Sequence, residues 1–170
     1  MSENNPILQV KDLTVSFNAF AGKVQAVRGV SFDLNKGETL CIVGESGSGK
    51  SVTNKAIMGI LSKNAVIDRG EILYDGMDLT KLTEEQFCQI RGKRIAMVFQ
   101  DPLSALNPIM KVGKQITETL CVHQKLSHEQ AKKRALELMA AVGIPEPEKR
   151  FNQYPFQFSG VMRQRIVIVI

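Results

Sequence analysis

The chain has 170 residues, the length of one ordinary domain, and its 44% hydrophobic and 23% charged residues are typical of a soluble globular protein. Its 22 Lys and Arg residues outnumber its 17 Asp and Glu residues but are scattered, so we expect no nucleic acid among its partners. The cysteines are widely spaced, which indicates neither a disulfide framework nor a zinc site and favours a reducing cytoplasm. No apolar run approaches the ~18 residues of a membrane span, and the N-terminus lacks the features of a signal peptide.

Short β-branched runs separated by turn signals predict strands along the first part of the chain. The predicted strands are ILQVKDLTVSF (7–17), VQAVRGVSFDL (24–34), TLCIVG (39–44), the two arms of a hairpin in GEILYDGMDL (70–79) and RIAMVFQ (94–100). The expected turns are 21–23, 35–37 and Asp75–Gly76. TLCIVG is apolar at consecutive positions, as in a strand that a parallel sheet buries on both faces.

Apolar residues at helical spacing predict the helices. The stretch SVTNKAIMGIL (51–61) predicts about three turns of helix, with Gly59 tolerated inside it. Two capping boxes open further helices: Thr83 with Gln86, and Ser127 with Gln130. Residues 103–158 are therefore expected to form a mostly helical insert on an α/β core.

The segment GESGSGKS matches the phosphate-loop pattern G-x-x-x-x-G-K-[ST] and lies between a predicted strand and a predicted helix. Glycines let the backbone curl so that successive N–H groups point at phosphate oxygens, and the start of the helix adds a partial positive charge. Lys50 then reaches the β- and γ-phosphates, and the Ser51 hydroxyl is placed to ligate Mg²⁺. The residues expected to hold the nucleotide are Gly44, Glu45, Ser46, Gly47, Ser48, Gly49, Lys50 and Ser51.

Three motifs in order along the chain resemble those of the nucleotide-binding subunits of ABC transporters: GESGSGKS, then VFQDP, then FSGVMRQR. The neighbouring stretches LSALNP, KVGKQITE and YPFQFSG are similar to the ATPases of bacterial oligopeptide and dipeptide importers. The resemblance implies an α/β fold: a P-loop NTPase (RecA-like) core with an N-terminal antiparallel β subdomain and a helical insert, incomplete at the C-terminus. It divides the chain into 1–102 (β subdomain plus P-loop core), 103–158 (helical subdomain) and 159–170 (signature motif and following helix).

The resemblance also implies an assembly. In that family two subunits pack head to tail, so that the Ser159 hydroxyl and the Gly160 backbone N–H of one chain would cap the γ-phosphate held by the other. Gln100 would be the Q-loop glutamine, which contacts Mg²⁺ and the attacking water. The implied partners are a second ATP-binding subunit, transmembrane permease subunits and, indirectly, a peptide-binding protein, at the inner face of the cell membrane. ATP binding would close the dimer, and hydrolysis would reset it.

The base of the nucleotide is better predicted as adenine than as guanine. NKGE (35–38) only mimics the N-K-x-D guanine motif, ends in Glu and precedes the phosphate loop, so ATP is expected. Phe17 and Phe20 are the candidates for an aromatic ring that stacks on adenine, and either could instead belong to the core. Phe17 matches the family position better.

The tail RIVIVI (165–170) gives conflicting signals. Its β-branched residues favour a strand by propensity. The resemblance instead places a helix after the signature motif, and tertiary context can override propensity. We therefore expect a helix.

Two departures from the family pattern affect the expected activity. Val161 replaces the usual second glycine of the signature, and Phe156 replaces the usual His before it; a β-branched residue does not readily adopt a positive φ, and its bulk would crowd a phosphate. The family's Walker B aspartate and glutamate and its switch histidine do not occur within these residues. The loss of a positioned base typically costs about 10²- to 10⁴-fold in rate, and missing strands would leave the parallel sheet open at a bare edge. We therefore expect weak nucleotide binding and little hydrolysis. Two alternatives remain: a catalytically inactive remnant, and a non-transport ABC ATPase working on ribosomes or DNA.

Overall fold

A long antiparallel hairpin opens the fold, and a third strand pairs along its first arm. The computed structural model describes residues 6–20, 22–99, 101 and 105–170. Strand β1 (Leu8–Ala19) pairs on one edge with β2 (Gly22–Leu34) and on the other with β3 (Ala65–Tyr74), and β4 (Met77–Asp78) joins the far edge of β3. All pairings are antiparallel, in the order β2-β1-β3-β4. The sheet is therefore the N-terminal antiparallel β subdomain that the sequence predicts.

The predicted turns of the sheet are confirmed where the structure describes them. Asp75 and Gly76 have φ values of 50° and 78°, the pair of positive φ angles that a two-residue hairpin turn between β3 and β4 requires. Gly37 has a φ of 80° in the turn after β2, where the Glu38 N–H donates to the Asn35 carbonyl at 3.1 Å. The turn expected at 21–23 includes Ala21, which lies outside the described residues.

One face of the sheet carries the apolar core of the first unit, which ends at Ala96. The buried side chains of this core are Val10, Leu13, Val15, Val27, Ala56, Ile72, Leu79, Phe87 and Ile90. The other face of β1 carries the buried side chains of Thr14 and Ser16. This alternation along β1 is what a strand with one apolar face produces.

A buried serine on β1 is satisfied by a carboxylate on β3. The hydroxyl of Ser16, which is fully buried, donates to Asp68, and the ammonium of Lys23 pairs with the same carboxylate. Hydrogen bonds from Lys23 and then from Ser16 lower the pKa of Asp68 below its ordinary value. The interaction joins all three long strands, since Lys23 lies on β2.

Helix α1 (Lys50–Ile57) is shorter than the sequence predicts, with 8 residues rather than about three turns. Gly59 does not lie inside the helix but has a φ of 63° just beyond its end. Its N–H donates to the Ala56 carbonyl at 3.0 Å, and the Ile60 N–H donates to the Lys55 carbonyl at 2.9 Å. These two bonds form a Schellman ending, in which the glycine supplies the left-handed residue that stops the helix.

The helix predicted by the first capping box is confirmed as α2 (Glu84–Ile90). The Gln86 N–H donates to the Thr83 hydroxyl and the Thr83 N–H donates to the Gln86 side chain, so both bonds of the box are present. A short 3₁₀ helix (Leu79–Lys81) precedes it. Both elements pack apolar side chains into the core described above.

The predicted strands at 39–44 and 94–100 are wrong for this structure. Neither segment forms a ladder with another strand among the described residues, and Gln100 lies outside them. The side chains that a parallel sheet would bury are exposed instead, for example 87% of Val43 and 58% of Val98. The physical reason is that a strand needs a hydrogen-bonded neighbour along its length, and among the described residues these two segments have only one isolated bridge, between Ile95 and Arg91.

The second unit begins at Met97, and its regular secondary structure among the described residues is helical. Its helices are α3 (Val112–Gln124), α4 (His128–Ala141), α5 (Pro147–Phe151) and α6 (Gly160–Val169), with a 3₁₀ turn at Pro155–Gln157. The capping box of Ser127 and Gln130 is confirmed at the start of α4. The helix expected after the signature motif is confirmed as α6, so context overrides the strand propensity of the tail.

A core separate from that of the sheet holds the helices together. Its buried residues are Leu106, Val112, Ile116, Leu120, Ala131, Ala135, Met139, Ile144, Phe158 and Ile166. Ile166, from the β-branched tail, is fully buried here and anchors α6 to the other helices. In the part of the chain that the structure describes, no helix is long and apolar enough to cross a membrane.

Candidate functional site

The loop between Gly44 and Ser51 makes a tight curl that ends at the first turn of α1. The Ser48 N–H donates to the Glu45 carbonyl at 3.2 Å, which closes the curl. Gly47 and Gly49 have φ values of 82° and 92°, in the region that L side chains rarely adopt. The glycines of the motif therefore allow the backbone path itself.

Gly49 is also required by its surroundings. A Cβ atom at this position would lie 2.6 Å from the Ala26 carbonyl oxygen and 3.3 Å from Cγ2 of Val27, both on β2. At Gly47, by contrast, nothing lies within 4 Å of such an atom. The absence of a side chain at Gly49 thus lets the start of α1 lie directly against the sheet. At position 47 a glycine is needed only for the positive φ of the turn.

Several amide groups of the loop have no acceptor among the described residues. Among the described residues none is recorded as accepting from the N–H of Gly47, Gly49, Lys50 or Ser51. Amides at the start of a helix are oriented along its axis and carry the positive end of the helix dipole. Unpaired amides at such a position form a cradle for an anion.

The Lys50 ammonium lies across the rim of this cradle. It donates to the carbonyls of Gly44 and Glu45, each at 2.6 Å, and to the Ser48 hydroxyl at 3.1 Å. These contacts hold a positive charge at the loop, beside the unpaired amides. The combination of directed N–H groups and an ammonium suits the terminal phosphates of a nucleotide.

Ser51 is the next residue of α1, and its side chain is exposed. Within the described part of the chain its hydroxyl makes no hydrogen bond. Its oxygen is therefore available to coordinate a cation that binds together with a phosphate group. No group of three or more His, Cys, Asp or Glu side chains among those residues could hold a metal ion by itself. The predicted metal contact of Gln100 lies outside the described residues.

The two candidate aromatic residues differ in environment. Phe17 is half-buried in β1, where it pairs with Val24 of β2 and Ala65 of β3. Phe20, just beyond the end of β1, is fully exposed. Exposure favours Phe20 for stacking on a ligand, although its sequence position agrees less well with the family pattern.

The signature segment forms the start of α6. Ser159 is the N-cap residue, and its hydroxyl oxygen accepts from the Met162 N–H at 3.3 Å, so its hydrogen is still free to be donated. A Cβ atom at Gly160 would meet nothing within 4 Å. No contact within the described chain therefore requires a glycine at this position.

The expectation that Val161 fails because it cannot adopt a positive φ is wrong. Gly160 and Val161 are the first residues of α6, and neither is among the residues with positive φ. Because a β-branched residue is compatible with helical angles, Val161 fits the backbone without strain. Its side chain is 62% exposed, so its bulk faces outward at the start of the helix.

The sheet, the glycine-rich curl at the start of α1 and the helical unit define an α/β protein of the P-loop NTPase fold. A solved ATP-binding cassette, described as a dimer in a post-hydrolysis state bound to ADP and Pi, has a TM-score of 0.82 to this chain. Its sequence identity is 27%, over 95% of this chain and 67% of that one. The chain belongs to the ABC transporter family, whose sequence profile matches residues 27–170.

Similar curated proteins include peptide transport ATP-binding proteins. The chain is 60% identical to the oligopeptide transport ATP-binding protein OppD of Bacillus subtilis, over 96% of this chain and 46% of that protein. It is 57% identical to the dipeptide transport ATP-binding protein DppD of Lactococcus lactis, over 96% of this chain and 47% of that protein. The chain thus spans about half the length of the curated relatives it matches.

One side chain packed against α1 was missed by the sequence analysis. Arg91 donates to the carbonyls of Met58 and Gly59, which lie 33 and 32 positions earlier in the chain. No local pattern marks a contact across that separation. The nearest available signal was Gly59 itself, since a glycine just after the last residue of a helical pattern indicates a helix end.

Proposed function

We propose that the chain is the ATP-binding part of a subunit that energises the uptake of oligopeptides or dipeptides. The observation that carries the proposal is the curl at 44–51, with its unpaired amides and the Lys50 ammonium beside them. The identity to peptide transport ATP-binding proteins over nearly the whole chain supports the substrate class.

The proposed ligand of the curl is ATP with Mg²⁺. The unpaired amides of Gly47, Gly49, Lys50 and Ser51 bind the phosphate oxygens, and the Lys50 ammonium neutralises charge on the β- and γ-phosphates. The Ser51 hydroxyl oxygen, exposed at the first turn of α1, is the protein ligand that the described residues offer to Mg²⁺. Gln100 is proposed as a second contact to the ion. When bound, the ion would neutralise negative charge on the phosphate oxygens.

The proposed site is completed by a second ATP-binding subunit. Ser159 donates its free hydroxyl hydrogen, and Gly160 its backbone N–H, to the γ-phosphate held by the partner. The open space around Gly160 supports this arrangement, because a phosphate can approach the backbone there without meeting this chain's own side chains. The start of α6 adds the positive end of a helix dipole.

The proposed further partners are transmembrane permease subunits and, through them, a peptide-binding protein, with the chain held at the inner face of the cell membrane. ATP binding closes the pair of subunits on the permease, and hydrolysis reopens it. Co-expression with the permease subunits of a peptide importer tests this assignment. Recovery with the permease is the expected result, whereas recovery with ribosomes or DNA would favour a non-transport ABC ATPase.

Nucleotide binding itself is tested by titrating ATP with Mg²⁺ into the protein and into Lys50→Ala. We expect Lys50→Ala to bind much more weakly, because the ammonium beside the unpaired amides is lost. Lys55→Ala is the matched control: Lys55 is an exposed lysine in the last turn of the same helix, away from the loop. Equal affinities for the protein and Lys50→Ala would contradict the assignment of the phosphate loop.

A further inference from the structure

The far end of the phosphate-loop helix is held by a side chain from outside it. The guanidinium of Arg91 donates from Nε to the Met58 carbonyl at 2.8 Å and from Nη2 to the Gly59 carbonyl at 3.0 Å. These carbonyls belong to the Schellman ending of α1, where the backbone leaves acceptors unpaired. Arg91 therefore donates hydrogen bonds to the carbonyls at the end of α1 that is opposite the phosphate loop.

The orientation of Arg91 is itself fixed by two further contacts. The carboxylate of Glu84 accepts from both terminal nitrogens, at 2.5 Å from Nη1 and 3.1 Å from Nη2. The guanidinium also lies 4.6 Å from the centre of the Phe87 ring, a cation–π geometry. Only 20% of the Arg91 side chain is exposed. We call Arg91, Glu84 and Phe87 the arginine clasp.

The clasp fits closely onto the end of α1. A Cβ atom at Gly59 would lie 2.5 Å from the Phe87 ring, so the backbone of Gly59 rests directly on that ring. Phe87 is buried in the core of the sheet unit. The clasp thus connects the C-terminal end of α1 to α2 and to the core, through both packing and hydrogen bonds.

The opposite end of α1 begins at Gly49, whose backbone lies close to β2. With 8 residues, α1 is about 12 Å long, so a tilt of about 5° about one end displaces the other by about 1 Å. A displacement of that size in a binding group can cost about 10²-fold in function. The direction of the short helix therefore determines where the amides of the phosphate loop lie.

We infer that Arg91 is a positioning residue for the nucleotide: it sets the direction of α1 and so the placement of the loop amides. The inference rests on the proposed function, since it names a residue that serves the same site without touching the ligand. Among the described residues, the hydrogen bonds, ion pair and ring contact of Arg91 involve Met58, Gly59, Glu84 and Phe87 and none of residues 44–51. Its effect on nucleotide affinity is therefore transmitted through α1.

The inference is tested with Arg91→Ala, which removes both carbonyl bonds, and with Arg91→Lys, which keeps the charge but cannot bond two carbonyls and a carboxylate in one plane. Arg94→Ala is the matched control, because Arg94 also forms an ion pair, with Asp75, and also lies over an aromatic ring, that of Tyr74. Among the described residues, the ion pair and ring contact of the Arg94 side chain do not involve α1. The first measurement is ATP affinity with Mg²⁺, at a temperature where circular dichroism shows each variant folded.

The second measurement needs no nucleotide: amide hydrogen exchange across residues 50–60 of the unliganded protein. We expect Arg91→Ala to accelerate exchange there and to weaken ATP binding at least about tenfold, with Arg91→Lys intermediate and Arg94→Ala unchanged in both. Unchanged exchange in folded Arg91→Ala would overturn the inference. Altered exchange with unchanged affinity would overturn it too. If Arg91→Ala does not fold, Arg91→Lys is judged by the same two criteria.

A failure of the proposed function gives a different result. In that case the unaltered protein and Lys50→Ala bind ATP equally poorly, while the exchange measurement still shows whether Arg91 holds α1. A loss of affinity that Arg94→Ala shares would indicate general destabilisation and would also count against the role of Arg91.

Discussion

At the scale of single residues, the glycines of the phosphate loop serve different purposes. Gly47 needs only its positive φ, because the space around it is open. Gly49 needs its positive φ and also the absence of a side chain, since the Ala26 carbonyl lies where a Cβ would be. The motif predicts both glycines from sequence, but only the structure separates their roles.

Gly49→Ala is expected to damage both stability and nucleotide binding. A non-glycine residue held at such a φ costs about 1–3 kcal/mol, and relief of the contact with β2 must move the start of α1. Urea unfolding measures the first effect and ATP titration the second. The control is Gly160→Ala, which has open space and no positive φ, so its free energy of unfolding should be unchanged or slightly higher. If Gly49→Ala matched the unaltered protein in both assays, the close approach of α1 to the sheet would be wrong.

The two phenylalanines near the end of β1 give a second prediction at this scale. Phe20→Ala should weaken ATP binding by about 1–3 kcal/mol, the usual contribution of one stacked base, with little change in unfolding. Phe17→Ala should instead lower the free energy of unfolding, because Phe17 is half-buried between neighbouring strands. Titration of ATP and urea unfolding on both variants separate the roles. If Phe17→Ala weakened ATP binding and Phe20→Ala did not, the stacking role would belong to Phe17.

At the scale of the elements, patterns between residues close in sequence predicted the structure correctly, whereas contacts between residues distant in sequence were not predicted. The capping boxes that begin at Thr83 and Ser127 and the turn at Asp75–Gly76 depend on residues within a few positions of each other, and all three are confirmed. The strands at 39–44 and 94–100 depend on neighbours that no local pattern supplies, and they do not form. Arg91 was missed for the same reason, since its acceptors are distant in sequence.

The polar contact between strands predicts a dependence on pH. Because its partners lower the folded pKa of Asp68, the carboxylate contributes stability above its ordinary pKa of 3.8, and this contribution is lost as the pH falls through the lowered value. Asp68→Asn should therefore lower the urea midpoint at about pH 7, and the difference from the unaltered protein should shrink by about pH 3. Asp33→Asn, on the exposed face of β2, is the control and should change little at either pH. A difference that did not depend on pH would contradict the ion pair as its cause.

At the scale of the whole molecule, the exposed apolar segments have a measurable consequence. Leu40, Ile42, Val43, Val98 and Phe99 are all exposed. Exposed apolar surface promotes association. We therefore expect the 170-residue chain to bind an apolar-surface dye and to self-associate as its concentration rises.

A longer chain provides the comparison. In a fusion of these residues to the remaining part of OppD from Bacillus subtilis, dye binding and self-association should both decrease if that part supplies neighbouring strands. Fluorescence titration and sedimentation measure the two quantities. Equal dye binding by the two chains would show that the exposed segments stay uncovered in the longer protein.

The open surroundings of Gly160 also affect how a cell would treat an altered chain. Proteases and chaperones remove proteins according to how often they unfold, and a small side chain at this position leaves folding untouched. Such a variant would therefore persist at normal abundance. Under the proposed function, any defect would emerge only after assembly, as a normal amount of transporter that works poorly.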